Sequence, residues 1–259
     1  MAPLKLYWSS GLKNGRKNFG DWLSPLLVEA LSGREVIHAP PNRCDMTAAG
    51  SILQRVKHHW WNRPIHVWGS GFIEPGPSLR ARHHYHAVRG KETAALIPGA
   101  NIQALGDPGL LVERLLPSFG SVPKRTSLGL IPHYKDQLDP AVAEFMRRMP
   151  EARILNILGE PEDFLRDLAT CQFVLSSSLH GLIAADAFRI PNAWIELSDK
   201  VRGARFKFRD YYSVFGLTAS PLQLPTITHD RIEELAAQYT RPGLRDIQQK
   251  LEAAFPFTK

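Results

Sequence analysis

The stretch QFVLSSSLHGLIAADAFRIPNAWI, residues 172–195, decides the fold. Residues 173–175 are apolar and strand-forming, Ser176-Ser177-Ser178 follow, and a helix opens at Leu179-His180-Gly181. A further strand starts after Ile190-Pro191. Strand, short turn, helix, strand is the unit of a parallel sheet. A strand that runs into a serine-lined helix start is also an anion site, because the first-turn N–H groups are unpaired and the helix dipole favours negative charge there. His180 puts a titratable group beside that anion. The plainer reading of the same residues is a serine cap, a buried helix and an incidental histidine.

Working outward, the unit recurs. Residues 4–8 form a strand, and a Gly-, Asn- and Lys-rich loop leads to Asn18-Phe19-Gly20-Asp21. Asp21 or Ser24 is expected to cap a helix that has Pro25 in its first turn and stops at Gly33. Residues 46–49 lead through Gly50-Ser51 into a helical run at 52–59. Strands are expected at 36–39, 65–68, 85–88 and 102–105. The last three end in Gly69-Ser70-Gly71, Arg89-Gly90 and Gly106-Asp107-Pro108-Gly109. Pro117, Gly120 and Pro123 then interrupt the pattern. It resumes with strands at 127–131 and 154–158 and helices at 140–149 and 161–170, followed by the opening stretch and a strand at 193–197. Residues 202–215 read as a basic-aromatic helix, 218–226 as a proline-bearing loop, and 229–255 as helix broken at Pro242-Gly243.

The fold class this predicts is α/β: two doubly wound, Rossmann-like domains facing a cleft. The first spans 1–118 and is the expected acceptor side. The second spans 124–227 and is the expected donor side, and helices in 228–259 pack across both. Ligands in such sheets gather at the carboxyl ends of the strands.

With 259 residues, 44% hydrophobic and 22% charged, the chain has the composition of an ordinary globular protein. A net charge of +7 suits an acidic partner: a phosphorylated small molecule, nucleic acid or an anionic membrane face. No zinc-finger, RNA-recognition or basic-zipper signature is present, so no specific nucleic acid partner is expected. The first residues lack a signal-like apolar run, and no stretch nears the ~20 apolar residues that span a bilayer. Cys44 and Cys171 stand far apart and suggest neither a disulfide framework nor a zinc site, which fits a cytoplasmic location. His83, His84 and His86, with His58 and His59, match no ligand spacing from one helix and have no acidic partner among them, so no metal is expected.

Several motifs then fall in order: NFGDWLSP (18–25), GSI (50–52), VWGSGF (67–72), VRGKET (88–93), LGDPGLL (105–111), IPHYKD (131–136), SSSLHGLIAADAFRIPN (176–192) and KFRDYY (207–212). On these the chain resembles the polysaccharide pyruvyl transferase family, in particular its exopolysaccharide, succinoglycan-type ketal-forming members. The resemblance covers most of the chain, roughly residues 4–216. It implies a fold similar to the two-domain GT-B glycosyltransferases, with the active site between the domains. It also implies transfer of pyruvate from phosphoenolpyruvate to two hydroxyls of a sugar, giving a cyclic ketal and phosphate, with no cofactor beyond that donor. Many members carry an arginine where this chain has Ser178, so a cationic donor contact falls to Arg89, Arg202, Arg205 or Lys207.

That donor bears roughly three negative charges. A helix terminus contributes about 0.3–1 kcal/mol of charge attraction, so Ser176, Ser177, Ser178 and Gly181 need an Arg or Lys to help them. The reaction needs a proton on the methylene carbon, and the resemblance places the family's essential histidine at His180. The helix terminus disfavours the imidazolium and a bound polyanion favours it, so His180 is expected to become an acid once the donor binds.

Asp21 is the candidate base for a sugar hydroxyl, or simply a helix cap. Asp107 reads chiefly as turn-maker and cap, on a turn that would face the same cleft. Asn18, Gly20, Gly69, Ser70 and Gly71 let backbone approach ligand, or merely build turns. Arg89 either grips phosphate or pairs with Glu92 on the surface. His133, Tyr134 and Lys135 should line the cleft, and Lys207 lies in a helix whose basic and aromatic residues either meet ligand or snorkel.

The expected partners are phosphoenolpyruvate, a lipid-linked oligosaccharide or polysaccharide acceptor and, peripherally, the anionic inner face of a membrane. A nucleotide-sugar glycosyltransferase of similar fold and a non-catalytic carbohydrate-binding relative are the alternatives.

Overall fold

The computed structural model describes residues 2–13, 15–56, 61–201 and 203–258. It contains two parallel sheets flanked by helices. The first has six strands: β1 (Leu4–Tyr7), β2 (Val36–His38), β3 (Met46–Thr47), β4 (His66–Trp68), β5 (His84–Val88) and β6 (Ala104–Leu105), in the order β2-β1-β3-β4-β5-β6. The second has five: β7 (Thr126–Ile131), β8 (Ala152–Ile154), β9 (Cys171–Ser176), β10 (Asn192–Glu196) and β11 (Leu222–Gln223), in the order β11-β10-β9-β7-β8. The first is a doubly wound 2-1-3-4-5-6 order and the second, counted from β7, a 2-1-3-4-5 order, with switch points at β1/β3 and β7/β9, where such sheets bind ligands.

The first helix, α1 (Phe19–Ser32), starts two residues before the expected Asp21. Asn18 is its cap: the Asn18 side-chain oxygen accepts the Asp21 N–H at 3.3 Å, and Gly33 closes the helix in the left-handed conformation at φ 63°. Pro25 therefore sits inside the helix, where it removes the bond to the Asp21 carbonyl. The remaining helices are α2 (Lys91–Ala95), α3 (Pro140–Arg148), α4 (Pro161–Ala169), α5 (Leu179–Ala187), α6 (Ala204–Tyr212), α7 (His229–Ala237) and α8 (Leu244–Ala253). A 3-10 turn at Leu53–Arg55 and a 3-10 segment kinked at Leu111, Pro108–Arg114, replace the helices expected after β3 and β6.

One apolar layer joins the two sheets. Leu4, Leu6 and Trp68 of the first sheet and Ile131 and Val174 of the second belong to one buried cluster, with α1, α5, α8 and the Pro108–Arg114 segment between them. The outer faces carry separate cores, Tyr7, Val67 and Tyr85 on one side and Leu130, Phe173 and Ile195 on the other. This shared layer explains a shift at β8. The apolar run after Ile154 leaves the sheet, because Leu155, Ile157 and Leu158 are buried in the shared core, and Phe19 N–H donates to the Ile157 carbonyl at 2.9 Å. The chain also crosses back: Phe206 of α6 joins the outer core of the first sheet, and the Trp68 indole donates to the Leu251 carbonyl of α8 at 2.8 Å.

Candidate active site

Both switch points open on one cleft of about 200 Å³ between the two sheets. Ser9 follows β1, the 49–52 turn follows β3, His133 and Tyr134 follow β7, and Ser178 and His180 follow β9; all of them line it. Asn18, Gly20, Asp21, Arg55, Lys13 and Lys207 complete the polar part of the wall. Of the residues read from the sequence, Asn18, Gly20, Asp21, His133, Ser178, His180 and Lys207 thus converge on one space.

The serine turn is built from within. Ser176 Oγ accepts the Ser178 N–H at 3.0 Å and lies 3.1 Å from the Ile131 carbonyl and 2.9 Å from that of Ser178, either of which can take its proton. Ser177 Oγ accepts the His133 N–H at 2.8 Å, which ties the β7 turn to the β9 turn. Gly181 packs on this knot, since a Cβ there would lie 2.7 Å from Ser176 Oγ. Ser176, Ser177 and Gly181 are scaffold, and Ser178, the cap of α5, makes no side-chain capping bond and faces the cleft. The α5 first turn keeps its N–H groups for a ligand.

His180 lies across Gly20. A Cβ on Gly20 would fall inside contact distance of the imidazole Nδ1 and 2.8 Å from Cγ, so only glycine lets α1 approach this closely. Burial, then the Lys207 and Arg89 charges, lower the His180 pKa to about 3, so the ligand-free ring is neutral. His133 is lowered to about 3 for the same reasons, burial first and then Lys207, Lys135, His180 and Lys13.

Asp21 Oδ2 stands 3.8 Å from Lys13 Nζ. Burial raises its carboxyl to about 6, against the opposing pull of Lys13 and Arg55. Since Asn18 does the capping, the Asp21 side chain is free to face the cleft. Lys207 is lowered to about 8 by burial and by Arg89 and Lys135. Lys13, Arg55 and Lys207 on the wall favour an anion in the cleft, with Asp21 the opposing charge.

Other expected contacts lie behind or beside the cleft. Arg89 has no exposure, and all its arms are committed: Nε to Asp210 at 2.9 Å, Nη1 to Ser51 Oγ at 2.5 Å and Nη2 to the Phe72 carbonyl at 2.6 Å. Gly71 packs on that guanidinium, and Glu92 pairs with Arg209 at 3.3 Å. Ser70 is buried, with its hydroxyl on the Ala48 carbonyl and 3.2 Å from Thr47 Oγ1. Gly69, at φ 85°, gives way to Pro108, whose Cγ would lie 2.5 Å from an added Cβ. Lys135 is exposed and donates to the Lys200 carbonyl at 3.0 Å, and Arg205 pairs with Glu196 at 3.2 Å. Arg202, His58 and His59 lie outside the described residues. His66 Nδ1 and His86 Nε2 sit 2.8 Å apart, away from the cleft. Among the described residues no group of three or more His, Cys, Asp or Glu is arranged to hold a metal ion.

Arg55 escapes a reading of motifs: it ends the Leu53–Arg55 segment, where no pattern aims it inward. Asp107, expected at the same cleft, lies outside its lining. Asp107 caps the Pro108–Arg114 segment, accepting the Gly109 N–H at 2.9 Å, and also brings Oδ2 to 3.8 Å from His180 Nε2.

The model of the polysaccharide pyruvyl transferase family matches residues 61–199, which hold β4 to β10 and the serine turn. Over 86% of this chain and 68% of the relative, the sequence is 30% identical to succinoglycan biosynthesis protein ExoV of Rhizobium meliloti (strain 1021). The chain belongs to the polysaccharide pyruvyl transferase family. It is also 30% identical to an uncharacterized protein of Acanthamoeba polyphaga mimivirus, over 60% of this chain; the match spans little more than half, 56%, of that relative. No solved structure matches the chain significantly. Placed on the family match, His180, Ser178, His133, Arg89 and Asp107 fall inside it, whereas Asn18, Asp21 and Lys207 come from outside it.

Proposed function

We propose that this pyruvyl transferase relative moves pyruvate from phosphoenolpyruvate onto two hydroxyls of a sugar in an exopolysaccharide repeat unit, forming a cyclic ketal and releasing phosphate. The observation that carries this reading is the convergence of Lys13, Arg55, Lys207 and the open α5 terminus on His180, with Asp21 opposite. The cleft is smaller than the roughly 300–1,000 Å³ that encloses drug-sized ligands, which favours a three-carbon phosphate ester over a nucleotide sugar. The halves' relation to GT-B enzymes, with donor bound mainly by the second sheet and acceptor by the first, is part of the same proposal.

Residues of the wall act in the first steps and the departing phosphate in the last. The donor's phosphate and carboxylate sit among the cations and N–H groups, and their charge lifts the His180 pKa. His180 then gives its proton to the methylene carbon, leaving C2 electrophilic. One sugar hydroxyl forms a bond to C2 as Asp21 takes its proton, which is returned to His180. The C2–O bond to phosphate breaks with its electron pair, and the second hydroxyl closes the ring, its proton leaving with the phosphate.

The acceptor in this reading is lipid-linked and met at the anionic inner face of a membrane. No helix among the described residues is long and apolar enough to cross one. The deciding experiment incubates the protein with phosphoenolpyruvate and candidate oligosaccharides, measuring phosphate release and mass gain on the sugar. If neither appears while a UDP- or GDP-sugar raises Tm, the donor is a nucleotide sugar and the proposal fails.

A further inference from the structure

Beneath the cleft two buried polar atoms face each other. Nε2 of His180 and Oδ2 of Asp107 are 3.8 Å apart, both are shielded from water, and neither has a hydrogen-bond partner among the described residues. Leaving such an atom unmatched destabilises the fold, and a bond between the two satisfies both. Asp107 is held to make it. Its other oxygen is fixed on the Gly109 N–H at 2.9 Å, at the start of the segment that packs between α1 and α5.

The opposite edge of the ring has a different setting. Nδ1 lies against Gly20, a residue of the cleft wall. The His180 side chain keeps 17% of its surface open, and none of that belongs to Nε2, which is covered.

We infer that Asp107 accepts a hydrogen bond from Nε2–H of His180 and so reserves Nδ1 as the nitrogen that meets the substrate. Asp107 itself does not reach the cleft, so it is a positioning residue. It fixes the ring tautomer in the free protein and steadies the imidazolium when the donor is bound, as a carboxylate does behind a catalytic histidine. Such bonds are often long in ligand-free enzymes and shorten in the complex. Burial lifts the Asp107 carboxyl to about 6, with the Gly109 N–H, Arg89 and the nearby Gly50 N–H opposing and Asp210 adding to the rise, so near pH 7 it is an acceptor. What Nδ1 does chemically rests on the pyruvyl reading above; the tautomer does not.

The test is the long-range 15N–1H spectrum of the full-length, 15N-labelled protein, with the His180 signals assigned by their loss in His180→Gln. The wild type should show the Nε2–H tautomer. In Asp107→Asn, Oδ1 still accepts the Gly109 N–H, the new amide donates to Nε2, and the ring should switch to Nδ1–H. Turnover of phosphoenolpyruvate should fall by about 10²-fold or more, with KM for the donor changed less than about threefold. An Nδ1–H ring in the wild type overturns the inference without any variant, and so does an unchanged tautomer in folded Asp107→Asn. A switched tautomer in a protein that never turns over phosphoenolpyruvate upholds Asp107 and sinks the pyruvyl reading instead.

Discussion

Arg89 and Asp210 form an ion pair at 2.9 Å in which neither side chain has any exposure. Asp210 also accepts the Thr93 N–H at 2.8 Å and the Thr93 hydroxyl at 2.6 Å. The pair joins the end of β5 to α6, the helix that carries Lys207 to the cleft. Arg89 therefore acts on the site by holding a helix and by adding positive charge beneath it. Removing one partner strands the other charge in the interior, which costs about 3–5 kcal/mol. Arg89→Met should lower the urea midpoint accordingly, and Arg89→Met with Asp210→Leu should recover part of the loss. A single variant with a wild-type midpoint would rule out this structural role.

The contact between Gly20 and His180 is tested by the smallest possible change. Alanine suits a helix better than glycine by about 1 kcal/mol, so Gly20→Ala should unfold near the wild-type temperature. Its methyl occupies the place of the His180 ring edge, so the imidazole must turn out of line. Phosphate release from phosphoenolpyruvate should drop at least as far as in His180→Gln while the far-UV spectrum stays unchanged. Retained turnover in Gly20→Ala would mean that the ring position is not what matters.

Much of this architecture is legible in the sequence because parallel strands buried on both faces read as apolar runs and end in glycine turns. The serine turn, the N-terminal Asn18 to Asp21 stretch and His133 were found that way. What was not legible depends on partners far along the chain. Arg89 reads as a phosphate grip or a surface partner of Glu92 until Asp210, 121 residues later, is folded against it. Asp107 reads as a cap because Pro108 and Gly109 follow it, and its second oxygen finds His180 only in three dimensions. Residues 155–158 look like a strand because burial and strand formation leave the same apolar signature, although here the burial is between the sheets. The two-residue β11 has no periodicity to find.

Asp21 should govern the acid limb of the pH profile. It works as a base in its carboxylate form, and burial holds its carboxyl at about 6. With donor saturating, so that His180 is already protonated, kcat should rise with pH as Asp21 ionises, a limb that Asp21→Asn abolishes along with about 10²–10⁴-fold of turnover. The sign for stability is opposite. A folded pKa raised above the unfolded value of 3.8 favours the neutral carboxyl, a stabilisation present at low pH and lost as pH climbs through about 6. Asp21→Asn should thus be more stable than wild type at pH 7, by about 1–3 kcal/mol, and gain nothing at pH 3. Thermal melts at the two pH values decide it; equal shifts at both would show that the carboxyl is not the cause.

Lys207 should set the alkaline limit through donor binding. Burial, Arg89 and Lys135 depress its pKa to about 8, so the ligand-free protein holds a cation that its surroundings disfavour. A bound phosphate reverses that balance and restores the ammonium. Titration calorimetry at pH 8 in buffers of different ionisation enthalpy should therefore register proton uptake with phosphoenolpyruvate, and Kd should weaken as pH rises past about 8. Lys207→Met should weaken binding by roughly 10- to 100-fold, the loss of about 1.4–2.8 kcal/mol, and remove most of the proton uptake. The depressed pKa also destabilises the folded chain below about 8, a penalty that fades toward the unfolded value of 10.5. Lys207→Met should accordingly melt higher than wild type at pH 7 without ligand, and lower than wild type in saturating phosphoenolpyruvate. A variant that binds the donor as tightly as wild type would move the anion site elsewhere on the wall, to Lys13 and Arg55.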